Sequence, residues 1–166
     1  MLFRSTTFYE LYDPLAQTFT VTDTNGVFIT QAEVYFATKD SALPITCQIR
    51  EVINGYPGPR VLATVTKKAA DITASATTLV PTIFTFPRPT YIMPNTEYCI
   101  VLLTDSVAYQ AWVSRMGDKA IGSQQVITAQ PSLGSLFKSQ NNSTWEPDQL
   151  EDLTFKLYKA KFDIST

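Results

Sequence analysis

The residues of this 166-residue chain best suited by type to recognise a ligand are three large aromatics and a run of amides. Tyr109 and Trp112 share one short segment, and Trp145 follows Gln140, Asn141 and Asn142. A flat aromatic face with a few convergent hydrogen-bonding groups is what a sugar ring needs. Trp145 interrupts a polar run and is expected to be exposed, whereas Trp112 lies in an alternating segment that also fits a core position. A second group, Glu146, Asp148, Glu151 and Asp152, supplies the oxygens a hard cation takes. Its expected role is plainer: to cap the turn after Pro147 and keep a sheet edge solvated. Asp23 and Asn25 superficially resemble a calcium loop, but at its third and fifth positions they put Val21 at the first and Ala32 at the last. No metal and no cofactor is expected.

The chain has no histidine. That removes His-based acid–base catalysis, Ser-His-Asp triads and His-ligated zinc together. Fifteen Asp and Glu residues are scattered along the sequence, and no pair stands out as glycosidase carboxylates. No catalytic residue is assigned, and an enzyme is not expected. Cys47 and Cys99 each sit inside an apolar strand pattern, which fits buried thiols. A disulfide between them requires a Cα separation that sequence does not give. The sequons in Asn141-Asn142-Ser143-Thr144 amount to a polar loop in a chain without a signal peptide.

Net charge is −2, and no basic run exceeds Lys67-Lys68. A nucleic-acid groove or an anionic-membrane patch needs more positive charge in one place, so neither partner is expected. Met1–Thr7 has no apolar signal region, and no stretch approaches a membrane span. With 45 % hydrophobic and 17 % charged residues the chain can bury a core. Its length fits one domain, divided into an N-terminal arm over residues 1–14 and a β-sandwich over 15–166. The arm carries Phe3, Phe8, Tyr9, Leu11 and Tyr12. Leaving them in water costs about 25 cal/mol per Å² of apolar surface. The arm therefore folds back over the sandwich or docks on another subunit, where an added edge strand is a natural mode.

Period-2 alternation places the strands. Expected strands cover Leu15–Thr22, Val27–Thr38, Ile45–Ile53, Val61–Thr66, Thr96–Thr104, Ala108–Ser114 and Phe155–Phe162. Asp23–Gly26 and Asn54–Pro59 read as turns, and Ala69–Ser75 as a short helical turn or loop. Pro87 and Pro89 mean that any strand across Thr82–Met93 is interrupted or lies at an edge. Thr96–Thr104 is the most apolar and is expected to be central. The segment Leu133–Pro147 reads as a polar loop leading to the alternating strand Asp152–Tyr158. The fold class is all-β: a two-sheet antiparallel sandwich of jelly-roll type.

Six short motifs occur in order: Ala16–Val21, Gly58–Ala63, Phe84-Thr85-Phe86 before Pro89, Glu97–Leu102, Ser143-Thr144-Trp145, and Asp152–Tyr158. Together they resemble the choice-of-anchor R type of domain, found in bacterial surface proteins and phage structural proteins. With Tyr12–Phe19 and Gln130–Asn141, the chain is most similar to virion structural proteins of contractile-tailed phages, especially cyanobacterial ones. The resemblance implies a non-enzymatic tail, baseplate or fibre-associated module, assembled in the host cytoplasm, with other virion proteins as homo- or hetero-oligomeric partners. The absence of a signal peptide and a sorting tail departs from the anchored surface proteins and favours the virion. The rival reading is a carbohydrate-binding module touching host-surface glycan through Tyr109, Trp112, Gln140, Asn141 and Trp145.

Overall fold

A computed structural model of the chain describes residues 7–10, 14–115, 132–139, 141, 144–148 and 151–160. They form two antiparallel sheets packed face to face, an all-β sandwich. The back sheet runs in the order β10 (Trp145–Asp148), β9 (Ser132–Ser139), β2 (Leu15–Thr20), β7 (Glu97–Thr104), β4 (Ile45–Ile53) and β5 (Tyr56–Lys67). In the front sheet β1 (Thr7–Glu10) pairs with β8 (Gln110–Arg115), and β8 pairs with β3 (Val27–Thr38). Beyond β3 lies β6 (Pro81–Ile92). The chain crosses between sheets at almost every connection from β2 to β9, as a jelly-roll-type sandwich does.

β3 and β8 pair only at Phe36 and Thr38. The last segment follows both: β11 (Glu151–Leu153) runs along β8 and β12 (Phe155–Lys159) along β3. At the junction the Thr154 N–H donates to the Trp112 carbonyl at 3.1 Å. Leu153 and Leu157 are buried and Phe155 packs on the same core, so the alternation read in the sequence faces inward as expected.

Inward residues of both sheets make the main core. Leu15, Phe19, Ile45, Ile49, Ile100 and Leu102 come from the back sheet; Ile29, Val34, Phe36, Phe84 and Val113 from the front. β7 lies between β2 and β4, which accounts for its apolar character on both faces.

Several boundaries differ from expectation. β2 ends at Thr20, two residues early. The Asn54–Pro59 turn shrinks to Asn54-Gly55, with φ of 52° and 82°. Two positive φ angles define the tight hairpin turn that matches strand twist, so Tyr56 already pairs with Ile53. β6 runs through its prolines as one strand and, among the described residues, pairs only with β3, which is the edge position expected from Pro87 and Pro89. Its register shifts between Ile29 and Gln31, and that bulge takes up Pro87 and Pro89. The polar loop expected over Leu133–Pro147 contains β9 and β10, paired from Trp145↔Ser139 to Asp148↔Leu136. The serines and Gly134 of β9, followed by a run of amides, have the composition of a loop although both segments pair as strands.

Candidate functional site

The three aromatics of the expected sugar platform lie in three separate apolar clusters. Tyr109 is wholly buried in the main core, donates its hydroxyl to the Leu43 carbonyl at 2.6 Å, and meets Phe36 edge-on. Trp112 packs with Tyr35, Ala37 and Leu79 on the outer face of the front sheet. Its indole N–H donates to the Ser75 carbonyl at 3.0 Å. Trp145, expected to be exposed, is 7 % accessible and packs with Ala16, Cys99, Val101 and Phe137. The physical reason is register: β10 extends the back sheet, so its first residue covers strand neighbours instead of standing in a loop. Asn141 is exposed, and its side-chain carbonyl accepts the Thr144 N–H at 2.7 Å, closing the β9–β10 connection. Gln140 lies outside the described residues.

The cluster around Trp145 is a second core, on the outer face of the back sheet. Val52 and Leu103 border it. Tyr56 lies 5.3 Å from Phe137, ring centre to ring centre. On a flat sheet four inter-strand steps would hold β5 and β9 about 19 Å apart. The β4–β5 ladder shifts register on either side of Arg50, and such bulges bend a hairpin. Its tip therefore curls over the outer face and roofs the cluster. Ile53 and Tyr56 remain 49 % and 48 % accessible at that tip, an apolar knob on the surface. Arg50 is buried beneath it, with its Nε donating to Gln48 Oε1 at 2.8 Å.

A polar cluster that sequence reasoning missed sits on the outer face of the front sheet. Buried Glu33 accepts hydrogen bonds from the hydroxyls of Tyr35 and Tyr158, the latter at 2.7 Å. The Lys156 ammonium stands 3.7 Å away, directly across the ladder. Burial, then the Glu33 hydrogen bond and charge, push the Tyr158 phenol up to about 12 and that of Tyr35 higher still. Glu33 and Tyr35 are two apart in one strand and so share a face, a signal present in the sequence. Their partners on β12 depend on register. Toward the end of the same sheet Phe28 and Tyr91 pair across strands, 37 % and 44 % accessible.

The acidic group lies on two strands that flank residues 149–150, which are outside the described residues. Glu146 is exposed on β10, an edge strand as expected, whereas Glu151 is buried. Glu146 and Asp148 belong to β10, and Asp148 is 3.9 Å from Lys138. Glu151 and Asp152 belong to β11, where Asp152 accepts from Gln17 Nε2 at 3.2 Å. Burial, reinforced by the Asp148 charge, raises the Asp152 carboxyl. Among the described residues no three His, Cys, Asp or Glu side chains gather as metal ligands. Asp23 is ion-paired with Lys159 at 2.8 Å. Cys47 and Cys99 are free and buried. Cys47 joins the main core and Cys99 the outer cluster, so they occupy opposite faces of one sheet. Burial pushes both thiols up, Cys99 to about 12 with Arg50 pulling the other way.

The N-terminal arm supplies the remaining feature. Its residues 7–10 form β1, an edge strand with Phe8 opposite Trp112 and Tyr9 opposite Ala111. Phe3, Leu11 and Tyr12 lie outside the described residues.

No protein-family model, curated protein or solved structure matches this chain.

The surface must therefore be judged by its own chemistry. Among the described residues no helix is long and apolar enough to cross a membrane. What the surface offers is an edge strand drawn from an apolar arm and a few separate apolar exposures.

Proposed function

We propose that this chain is a non-enzymatic structural module of a phage virion, associated with tail, baseplate or fibre, and working through protein–protein contacts. One observation carries the assembly part: residues 7–10 of the apolar N-terminal segment fold back on this chain's own β8 as an edge strand that, among the described residues, pairs with β8 alone. Edge strands are where main-chain pairing between chains occurs. The exposed knob of Ile53 and Tyr56 adds an apolar anchor of the kind that contributes at interface centres. The virion part rests on the order of the six sequence motifs that resemble choice-of-anchor R-type domains. The glycan reading loses its support, since Tyr109, Trp112 and Trp145 do not share a surface.

Two experiments test the parts separately. Light scattering after size exclusion should give a mass above the 18.5 kDa of one chain, rising with concentration. A mass fixed at one chain at every concentration overturns self-assembly. Peptides of this chain should also appear among the structural proteins of purified tailed-phage particles encoding it, and their absence overturns the virion placement.

A further inference from the structure

We infer that Asn54-Gly55, at the tip of the β4–β5 hairpin, is a site of spontaneous covalent modification, where the Asn54 side-chain amide becomes a carboxylate through attack by the Gly55 backbone nitrogen. The second Asn-Gly pair of the chain, Asn25-Gly26, is held against the same reaction by its surroundings. This chemistry is independent of the assembly proposed above.

By sequence the two pairs are equivalent, since glycine leaves the attacking nitrogen without a neighbouring Cβ in each. Their surroundings differ. Asn54 and Gly55 are both exposed, and a Cβ built on Gly55 meets no atom within 4 Å. Among the described residues no turn hydrogen bond holds the Gly55 N–H. At the other pair the Gly26 N–H donates to the Asp23 carbonyl at 2.9 Å, and the Asn25 carbonyl accepts the Tyr91 hydroxyl at 2.8 Å. A Cβ on Gly26 would lie 2.4 Å from the Ile92 carbonyl oxygen and 2.7 Å from the Tyr91 hydroxyl, so that turn is walled in. Ring closure requires the backbone to rotate out of its tight-turn conformation, and the hairpin tip resists this weakly. After Ile53↔Tyr56 the next pair is Val52↔Pro57, where proline brings no N–H, and the register shifts before Arg50↔Val61. A tip held by so few ladder bonds opens locally without disturbing the rest of the sheet.

In the reaction the Gly55 nitrogen loses its proton and bonds to the Asn54 side-chain carbonyl carbon. The carbon–nitrogen bond of the side-chain amide breaks, and ammonia leaves with that proton. Solvent water then adds to either carbonyl carbon of the cyclic imide and breaks that carbon's bond to the Gly55 nitrogen. One opening leaves an aspartate in the normal main chain; the other routes the main chain through the side chain as isoaspartate. Nothing is oxidised or reduced. Either product sets a carboxylate, ionised at neutral pH, between Ile53 and Tyr56 on the apolar knob.

Peptide mapping over time tests this on the unmodified full chain. The purified protein is held in mildly alkaline buffer, sampled over days, and digested briefly with trypsin. Peptides 5–39 and 51–60 then report Asn25 and Asn54 separately, and Asn54 is the one amide side chain in the second. The amide-to-acid mass change, placed by fragment ions, measures conversion, and chromatography separates the aspartate and isoaspartate forms. Reaction at Asn25 must first release the Gly26 N–H and the Tyr91 hydroxyl, so Asn54 should convert at least about tenfold faster in the folded chain. In denaturant both turns are lost, and the two sites should convert at comparable rates. Equal rates in the folded chain, or faster conversion at Asn25, overturn the inference. So does a position 54 that keeps its amide in the folded chain while the denatured chain is converted. A tenfold difference that persists in denaturant overturns it as well, because the selectivity then comes from neighbours in sequence and not from the fold.

Discussion

Replacing Trp145 by alanine tests the outer core, because a loop-exposed and a buried indole give opposite answers. The side chain is 7 % accessible and rests on Ala16, Cys99, Val101 and Phe137. A buried indole removes on the order of 200 Å² of largely apolar surface from water. At about 25 cal/mol per Å² this gives roughly 5 kcal/mol as an upper bound. β10 is a four-residue strand at the sheet edge, so its surroundings can relax around the gap. The expected loss is therefore at the lower end of the range for Trp→Ala, about 3 kcal/mol. For a chain of this length that corresponds to a fall in Tm of about 6–12 °C. Urea unfolding followed by far-UV circular dichroism measures it without relying on the deleted fluorophore. Trp145→Phe should recover more than half of the loss. A cost within about 0.5 kcal/mol, the usual range for an exposed position, would refute the packing described.

Four further outcomes follow from the same geometry. Glu33→Ala leaves the Tyr35 and Tyr158 hydroxyls without their acceptor and should cost about 1–3 kcal/mol in urea unfolding, with Glu33→Gln milder. Tyr158 titrates higher in the folded chain than the unfolded one, which then holds fewer protons, so stability should be full below about pH 10 and fall toward pH 12; alkaline unfolding monitored by tyrosinate absorbance checks this, and a flat profile contradicts it. Asp152→Asn keeps an acceptor for Gln17 while removing a charge that burial disfavours, and should leave stability at pH 7 unchanged or raise it by up to about 1 kcal/mol; a loss of stability would argue against the burial described. Cys47 and Cys99 should resist a thiol reagent in the folded chain, react fully in denaturant, and give the same gel mobility with and without reductant.

The strands were legible where one face is apolar and the other polar. Val27–Thr38 and Ile45–Ile53 begin and end where alternation and turn residues put them. Alternation failed where both faces are buried or where a strand carries several serines and a glycine. Ser132–Ser139 reads as a loop by composition, yet Leu136 and Phe137 cover two different cores. The second core explains the misplacement of Trp145: only the curl of the β4–β5 hairpin brings Tyr56 to Phe137 and closes that face. Bulges of this sort depend on pairing across the sheet and leave no local periodic trace. The Glu33 cluster was half visible, since Glu33 and Tyr35 share a face by spacing alone. Tyr158 and Lys156 reach it through a ladder between residues more than a hundred positions apart, and no local pattern encodes that register.

The measurement closest to the central claim is the mass in solution, by sedimentation equilibrium, of the full chain beside a chain that starts at Asp13. The truncated chain loses β1 and keeps both sheets' remaining strands. The account predicts an oligomer for the full chain and, for the truncated one, a monomer lighter than the 18.5 kDa of the full chain. Monomers in both cases, across the concentration range, would contradict assembly through the arm.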